Sequence, residues 1–167
     1  TPDNQFLLGR TPEVENAFIG AGFNSVGIAS AGGAGRALAE WIVEGEPTGD
    51  LVGVDVRRFA PFANDRGFLR DRVAETLGLH YALPWPNREP ETARDVRLSP
   101  LHDRLAGRGA VFGTRNGWER PLLFGGSLDY SWGRPAWLSS SADEQRACRT
   151  DVAVFDQTSF SKYAVSG

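Results

Sequence analysis

The stretch Gly20-Ala-Gly-Phe-Asn-Ser-Val-Gly-Ile-Ala-Ser-Ala-Gly-Gly-Ala-Gly35 carries the strongest structural signal in this sequence. It predicts a strand over residues 16–21, then a glycine-rich turn, and then a helix over about residues 32–44. One side of that helix carries four apolar residues at helical spacing: Ala34, Leu38, Trp41 and Ile42. A strand, turn and helix in this order let backbone N–H groups approach an anionic or carbonyl-rich ligand.

The glycine spacing does not match a dinucleotide-binding fingerprint. Gly20 and Gly22 have the right separation, but the next glycine, Gly27, comes two positions too late. The acidic residues about 20 positions further on, Glu40 and Glu44, fall inside the predicted helix and not at a strand end, where an acidic residue could reach a ribose. Spacing alone therefore supports a ligand-facing turn, and such turns are also common in enzymes that bind no cofactor there.

A family resemblance extends along nearly the whole chain. The segment from Gly22 to Gly35 resembles the C-terminal flavin-contacting loop of the FAD-dependent amine oxidoreductases that include sarcosine and dimethylglycine dehydrogenases. Thr1-Pro-Asp-Asn-Gln-Phe-Leu-Leu-Gly9 resembles the strand that precedes this loop. Three segments are similar to the central domain of the family: Asp55-Val-Arg-Arg-Phe59, Arg94-Asp-Val-Arg-Leu-Ser-Pro-Leu-His102 and Gly117-Trp-Glu-Arg-Pro121. The last segment, residues 151–167, resembles the opening of a glycine-cleavage-type aminomethyltransferase domain.

The resemblance implies an α+β chain that forms part of a flavin-dependent oxidoreductase. Such an enzyme oxidatively demethylates a small N-methyl amine such as dimethylglycine or sarcosine and passes the one-carbon unit to tetrahydrofolate. FAD would be the redox cofactor. The expected flavin neighbours are five consecutive residues: Asn24, Ser25, Val26, Gly27 and Ile28. Gly27 is expected in the middle of the turn, where a Cβ would block the flavin or demand an unfavourable dihedral.

The same resemblance divides the chain into three parts. Residues 1–50 would be the C-terminal element of the oxidoreductase domain, residues 51–110 the central connecting domain, and residues 111–167 the first part of the folate-binding domain. The sequence contains no methionine. We therefore expect a piece of a longer protein. The resemblance implies that the substrate-binding and covalent-flavin residues lie upstream and that most folate contacts lie beyond Gly167. No catalytic residue is expected within the chain itself.

Composition is typical of a globular protein, with 41% hydrophobic and 23% charged residues. A formal net charge of −3 argues against a nucleic-acid partner, because such binding depends on basic side chains. No apolar run approaches the length of a membrane span. We predict a soluble protein of the bacterial cytoplasm or the mitochondrial matrix.

Metal binding and nucleophilic catalysis are both disfavoured. Cys148 is the only cysteine, so no internal disulfide can form, and two histidines cannot build a histidine-rich metal site. His80 and His102 are isolated from other candidate ligands or nucleophiles, which favours roles in packing or helix capping.

Outside the glycine stretch, the pattern predicts further short elements. Helices are expected over residues 67–80, capped by Asn64 or Asp65, then after Ser99-Pro100, and over residues 142–148. Strands are expected at residues 5–8 and 110–112, and two more at residues 152–154 and 160–164. Residues 117–121 and 129–137 are interpreted as aromatic loops.

Two charged groups have competing interpretations. In the first loop, Glu119 and Arg120 beside Trp118 could recognise a carboxylate, but the favoured alternative is that they fix a tight loop around a buried indole. The arginines around Arg57 and Arg70 could form an anion patch, but interleaved acidic residues favour a solvated or domain-contacting face.

Two alternatives to an oxidoreductase remain. One is a non-catalytic interaction module that keeps the central fold. The other is a stand-alone folate-dependent aminomethyltransferase, which is disfavoured because only about the last quarter of the chain resembles one.

Overall fold

A short β-hairpin and a long helix organise the first part of the chain. The structure, a computed structural model, describes residues 1–167 and divides them into two units, Thr1–Ala82 and Leu83–Gly167. In the first unit, β1 (Leu7–Arg10) pairs antiparallel with β2 (Phe18–Ala21), with Leu7 opposite Ala21 and Arg10 opposite Phe18. Helix α1 (Gly27–Glu44) follows and packs on this hairpin.

The centre of the first unit is a packed tryptophan. Trp41 of α1 is 1% exposed and Leu8 of β1 is 2% exposed. The indole lies against Gly9, edge-on to the ring of Phe18, with a centroid separation of 6.4 Å. The guanidinium of Arg57 covers the ring at 5.2 Å. Burial of this indole and of Leu8 fixes α1 against the hairpin.

Helix α1 corrects the predicted start and the predicted apolar side. It begins at Gly27, five residues before the expected position, and ends at Glu44, where Gly45 follows as a left-handed cap with a φ of 83°. Ala34 and Trp41 are buried as expected, but Ile42 is 52% exposed. The glycines at the predicted start are tolerated within the helix because packing of Trp41 outweighs their low helix propensity.

The two strands of the first unit are shorter or shifted relative to their predictions. β1 begins two residues later than expected and β2 begins at Phe18 instead of residue 16. Asn16 has a φ of 56° and the N–H of Thr11 donates to the carbonyl of Ala17 at 2.9 Å. The chain is therefore still turning at Asn16, so it cannot extend there.

The remainder of the first unit consists of two 3₁₀ turns, Val56–Arg58 and Pro61–Asn64, and helix α2 (Arg66–Leu79). The side chain of Asp65 accepts a hydrogen bond from the N–H of Phe68 at 2.8 Å and caps α2. Of the two predicted caps, Asp65 is therefore the one that acts. Leu77 of this helix is 64% exposed, whereas Arg72 is buried.

The second unit contains a short helix, a hairpin and a longer helix. Their bounds are α3 (His102–Ala106), β3 (Ala110–Arg115), β4 (Trp118–Phe124) and α4 (Leu138–Thr150). Ser99 Oγ accepts from the N–H of Leu101 at 3.0 Å in the turn before α3, but no side chain caps the helix itself. Pro100 lies in the turn before the helix and not at its first position.

Strand β4 corrects the interpretation of residues 117–121 as a loop. It pairs antiparallel with β3, and the register shifts between Val111 and Phe112. The turn between the strands is Asn116-Gly117, with φ values of 48° and 77°. Two positive φ values in a two-residue hairpin are the mark of a type I′ turn, which Asn-Gly favours. Pro121 is accommodated in β4 beside the bulge, where a missing N–H is tolerated.

The two strands predicted near the end of the chain are wrong. Residues 152–157 and 161–167 form no regular structure. Val152, Val154 and Val165 are 91%, 85% and 96% exposed. A strand requires a hydrogen-bonded neighbour, and no strand of the structure pairs with either segment.

Candidate functional site

A tight turn lies between β2 and α1 and contains the residues predicted to contact flavin. The N–H of Val26 donates to the carbonyl of Phe23 at 2.9 Å, which closes a four-residue turn. Its central residues, Asn24 and Ser25, have φ values of 44° and 70°. Two positive φ values at these positions are the mark of a type I′ turn, and a serine there is held against its intrinsic preference.

The position of Gly27 corrects the expectation that it lies in the middle of this turn. Gly27 is the first residue of α1, and a Cβ at this position would meet only the Cβ of Phe23 at 3.6 Å, an ordinary contact. The turn is already complete at Ser25, so the positive φ values fall on Gly22, Asn24 and Ser25 instead. The backbone conformation at position 27 therefore does not require a glycine.

The beginning of α1 offers uncapped backbone donors. No side chain accepts a hydrogen bond from its first turn, and that turn contains no acidic residue. The N–H of Ser30 bonds to the carbonyl of Val26 at 3.0 Å. The N–H groups of the three residues before Ser30 have no partner within the helix, as at any helix start. They are oriented to donate to an external oxygen.

Apolar side chains flank these donors. Ile28 is 100% exposed and Val26 is 44% exposed. Asn24 is half-buried, whereas Ser25 is exposed. The five predicted residues thus combine N–H donors with uncovered aliphatic surface, an arrangement that suits a ligand with both oxygen atoms and a flat apolar part.

Two residues that the sequence analysis missed hold this turn. Asn24 Nδ2 donates to Thr1 Oγ1 at 2.9 Å, and Ser25 Oγ is hydrogen-bonded to Tyr81 Oη at 2.8 Å. The rings of Phe6 and Phe23 stack beside the turn with centroids 4.7 Å apart. No local signal in the sequence indicates these contacts, because Thr1 and Tyr81 are far from the turn along the chain.

The second candidate, the Trp118-Glu119-Arg120 group, is occupied by internal contacts. Glu119 is 4% exposed, its carboxylate pairs with the guanidinium of Arg94, and its Oε1 accepts from the N–H of Asp95 at 3.0 Å. Arg120 instead lies over the ring of Phe160 at 4.8 Å. The group is therefore engaged in internal contacts, but the predicted tight loop around a buried indole is wrong, because these residues lie on β4 and Trp118 is only half-buried.

The ionisation of Glu119 follows from these contacts. Burial alone raises the pKa of its carboxyl group, but the hydrogen bonds from Arg94 and Asp95 outweigh it, so the pKa lies below its ordinary value. Glu89 is a second buried carboxylate that the sequence analysis missed. It accepts from the N–H of Thr114 and pairs with Arg115, each at 3.0 Å. Both acids fasten the β3–β4 hairpin to the segment before it.

Both histidines have structural roles, and the single cysteine is exposed. His80 follows the last residue of α2 and its Nδ1 is hydrogen-bonded to Asn4 Nδ2 at 3.0 Å. The ring of His102 packs on Phe112 with centroids 4.4 Å apart, and Cys148 is exposed on α4. The prediction of packing and capping roles for both histidines is confirmed.

The predicted anion patch is neutralised by neighbouring carboxylates. Arg57 pairs with Asp55 at 2.8 Å, and Arg58 pairs with Asp3 at 2.7 Å. Arg70 pairs with the adjacent Asp71 at 2.7 Å. The interpretation as a solvated face is therefore confirmed for Arg57 and Arg70, whereas the side chain of Arg58 is only 12% exposed.

A cavity lies in the second unit. It has a volume of about 1150 Å³ and its wall is formed by α3, β4, α4 and the segment after α4. Leu105, Phe124 and Val154 contribute apolar surface, and Arg104 and Arg108 also line the cavity.

The helices of the structure are too short or too polar to span a membrane.

Two family models match the chain in sequence. The model described as FAD dependent oxidoreductase central domain matches residues 44–99, and the model described as GCVT N-terminal domain matches residues 101–167. The predicted flavin turn precedes both matches.

Curated relatives match over the full chain. The 4-methylaminobutanoate oxidase (formaldehyde-forming) of Paenarthrobacter nicotinovorans is 47% identical over 100% of this chain and 21% of its own length. The mitochondrial sarcosine dehydrogenase of Homo sapiens is 36% identical over 100% of this chain and 22% of its own length. The mitochondrial pyruvate dehydrogenase phosphatase regulatory subunit of Mus musculus is 37% identical over 99% of this chain and 20% of its own length. The chain thus spans about a fifth of the length of these relatives.

Proposed function

The chain belongs to the family of FAD-dependent oxidoreductases of N-methyl amines, and from this membership we propose that the protein that includes it oxidatively demethylates a small N-methyl amine. The observation that carries the proposal is the 47% identity to 4-methylaminobutanoate oxidase over 100% of the chain. Relatives named for sarcosine and dimethylglycine match over the same span. The substrate class is then an amino acid whose nitrogen carries one or two methyl groups.

We propose that the turn before α1 contacts FAD through Asn24, Ser25, Val26, Gly27 and Ile28. The fit is supported by the uncapped N–H groups of the first turn of α1, which can donate to cofactor oxygens, and by the exposed side chains of Val26 and Ile28. The field of an exposed helix start contributes about 0.3–1 kcal/mol, so this turn tunes the cofactor rather than holding it alone. When bound, FAD supplies the hydride acceptor for the N-methyl carbon.

Tetrahydrofolate is the proposed acceptor of the one-carbon unit. This part of the proposal is supported by the GCVT N-terminal domain match at residues 101–167, and we assign no folate contacts within it.

The proposed domain division is unchanged: the oxidoreductase element covers residues 1–50, the connecting domain residues 51–110, and the first part of the folate-binding domain residues 111–167. The cytoplasm of a bacterium or the mitochondrial matrix is the proposed location, in line with a bacterial relative and mitochondrial ones.

A chimera tests the proposed function directly. This chain replaces the aligned residues of the Paenarthrobacter nicotinovorans oxidase, and the purified chimera is assayed for flavin absorbance and for demethylation of 4-methylaminobutanoate, sarcosine and dimethylglycine. We expect a flavin-loaded, active chimera. A folded chimera that carries flavin at the level of the parent oxidase but demethylates none of the three amines would contradict the proposal.

The substitution Gly27→Val in this chimera tests the flavin turn itself. Because Gly27 is helical, valine changes the free energy of unfolding by at most about 0.5 kcal/mol. Its side chain would nevertheless project beside the proposed cofactor. We expect flavin content and amine oxidation to fall together while thermal stability of the isolated chain stays unchanged. Full flavin content and normal oxidation would show that the turn does not face the cofactor.

A second candidate is a non-catalytic module. It is favoured by the 37% identity to a relative that is named a phosphatase regulatory subunit. The coding sequence upstream of Thr1 separates the two candidates. An intact Gly-x-Gly-x-x-Gly segment supports the oxidoreductase, because it would bind the ADP part of FAD. Its loss, together with an inactive chimera, would favour the module.

A further inference from the structure

The backbone of the turn before α1 is held in a conformation that its sequence does not favour. Ser25 has a φ of 70°. Glycine adopts positive φ freely and asparagine does so more readily than most residues, whereas serine lacks this tendency. The hydrogen bond from the N–H of Val26 to the carbonyl of Phe23, at 2.9 Å, closes the turn but does not itself select a left-handed serine. Contacts from outside the turn must contribute.

Tyr81 supplies such a contact at Ser25. Its hydroxyl is 2.8 Å from Ser25 Oγ, across 56 positions of the chain. Tyr81 is 77% exposed, so its ring is not part of the core and this hydrogen bond is its principal polar contact. The ring stands edge-on to that of His80, with centroids 4.6 Å apart, directly after the end of α2.

The end of α2 is itself tied to the segment that precedes β1. Asn4 Nδ2 is hydrogen-bonded to His80 Nδ1 at 3.0 Å, and Thr76 Oγ1 donates to the carbonyl of Pro2 at 3.2 Å. The same segment reaches the turn through Thr1 Oγ1, which accepts from Asn24 Nδ2 at 2.9 Å. The turn is thus bound on one side by Thr1 and on the other by Tyr81, and the two are linked through α2.

We propose that Tyr81 is a positioning residue for the flavin-facing turn, whose hydroxyl holds Ser25 in the left-handed conformation and so directs the first N–H groups of α1. The proposal rests on the flavin contact proposed above for residues 24–28. Tyr81 lies within the match to the FAD dependent oxidoreductase central domain, whereas Ser25 lies before it. The central domain therefore sets the geometry of a turn that lies outside it in sequence.

Hydrogen exchange of the chain tests the positioning step without any cofactor. Tyr81→Phe removes only the hydroxyl, and because the ring is exposed the variant should fold. We expect the N–H groups of Val26 and Ser30 to exchange about two- to tenfold faster, as loss of one hydrogen bond predicts. Tyr163→Phe, at a tyrosine that is 87% exposed, is the matched control and should change neither rate.

A rescue experiment distinguishes an effect on the conformation of Ser25 from a general loosening of the turn. Glycine at position 25 needs no hydroxyl partner to adopt positive φ. In a Ser25→Gly background, Tyr81→Phe should therefore leave the exchange of Val26 unchanged. Equal acceleration by Tyr81→Phe in both backgrounds, or no acceleration in the original chain, would overturn the proposal.

The chimera with the Paenarthrobacter nicotinovorans oxidase then tests the functional consequence. Tyr81→Phe should lower flavin content, and Ser25→Gly should restore it in the double variant. If exchange responds as expected but flavin content does not, Tyr81 positions the turn and the proposed flavin contact fails. If exchange does not respond, the inference fails whatever the flavin content.

Discussion

At the scale of single residues, Gly9 shows how tightly the side chain of Trp41 packs against the backbone of β1. Its φ is +113°, and a Cβ built on it would lie 2.3 Å from Cζ3 of Trp41. Any larger residue must therefore strain the backbone and displace the indole that is the centre of the first unit. The sequence alone gives no reason to single out this glycine, because its constraint comes from a residue of another element.

Gly9→Ala is expected to destabilise the first unit strongly. The backbone strain and the clash with Trp41 each cost about 1–3 kcal/mol. Urea unfolding followed by tryptophan fluorescence measures the loss. Gly45→Ala is the matched control, because Gly45 also has a positive φ, of +83°, but has nothing within 4 Å of the added Cβ. Equal losses for both variants would mean that Trp41 gives way without cost.

The buried pair of Glu119 and Arg94 predicts a pH dependence of stability. Although burial raises the pKa of Glu119, its hydrogen bonds hold the pKa below the ordinary value. A depressed carboxyl pKa stabilises the fold fully above the unfolded value of about 4.3, and this stability is lost as the pH falls through the folded pKa. We expect the free energy of unfolding to decline below about pH 4, and less steeply for Glu119→Gln. Identical slopes over pH 2–5 would contradict this assignment.

At the scale of elements, local signals predict an element well where the chain caps it itself. Helix α2 was predicted over residues 67–80 and runs from Arg66 to Leu79, because Asp65 caps it from the adjacent position. Helix α1 was predicted too short because Gly27 and Ser30, among the five residues missed at its start, have low helix propensity, and packing of the helix on the hairpin outweighs it.

Strand β4 and the end of the chain show where local signals fail. The Asn116-Gly117 pair is a strong hairpin signal. The bulge beside Pro121 nevertheless interrupts the alternation of apolar and polar residues by which the second strand of the hairpin would be recognised. The strands predicted after residue 151 have suitable residues but no partner strand.

The candidate site likewise depends on contacts between residues that are distant in the sequence. Residues 24–28 could be chosen from sequence, whereas Thr1 and Tyr81 could not, because their hydrogen bonds span 23 and 56 positions.

The cap of α2 provides a prediction with a built-in control. Asp65→Ala removes the acceptor for the N–H of Phe68 and is expected to cost about 0.5–2 kcal/mol. Asn64 is the neighbouring residue that the sequence offers as an alternative cap, and it lies in the preceding 3₁₀ turn. Asn64→Ala should change the unfolding free energy by much less. A larger loss for Asn64→Ala, measured by urea unfolding, would mean that the helix is capped one residue earlier.

At the scale of the whole molecule, the exposed apolar surface is extensive and includes a cluster in the second unit. Val152, Val154 and Phe155 are 91%, 85% and 68% exposed, and all three line the cavity of about 1150 Å³. The strands β3 and β4 form a sheet of only two members, and beyond the isolated bridge between Arg97 and Trp118 no further strand covers their outer edges. Both features favour association between molecules.

We therefore expect the isolated chain to self-associate and to bind apolar dyes. Sedimentation should give a mass that rises with concentration, and fluorescence of 8-anilino-1-naphthalenesulfonate should increase on mixing. Replacing Val152 and Val154 by lysine places two charges on this surface and should reduce both signals without loss of helical circular dichroism, because neither side chain is buried. The exposed Val14 of the first unit is the control, since a lysine there lies outside the cavity. A chain that stays monomeric at all concentrations and leaves the dye dark would show that the segment after α4 covers its own apolar surface in solution.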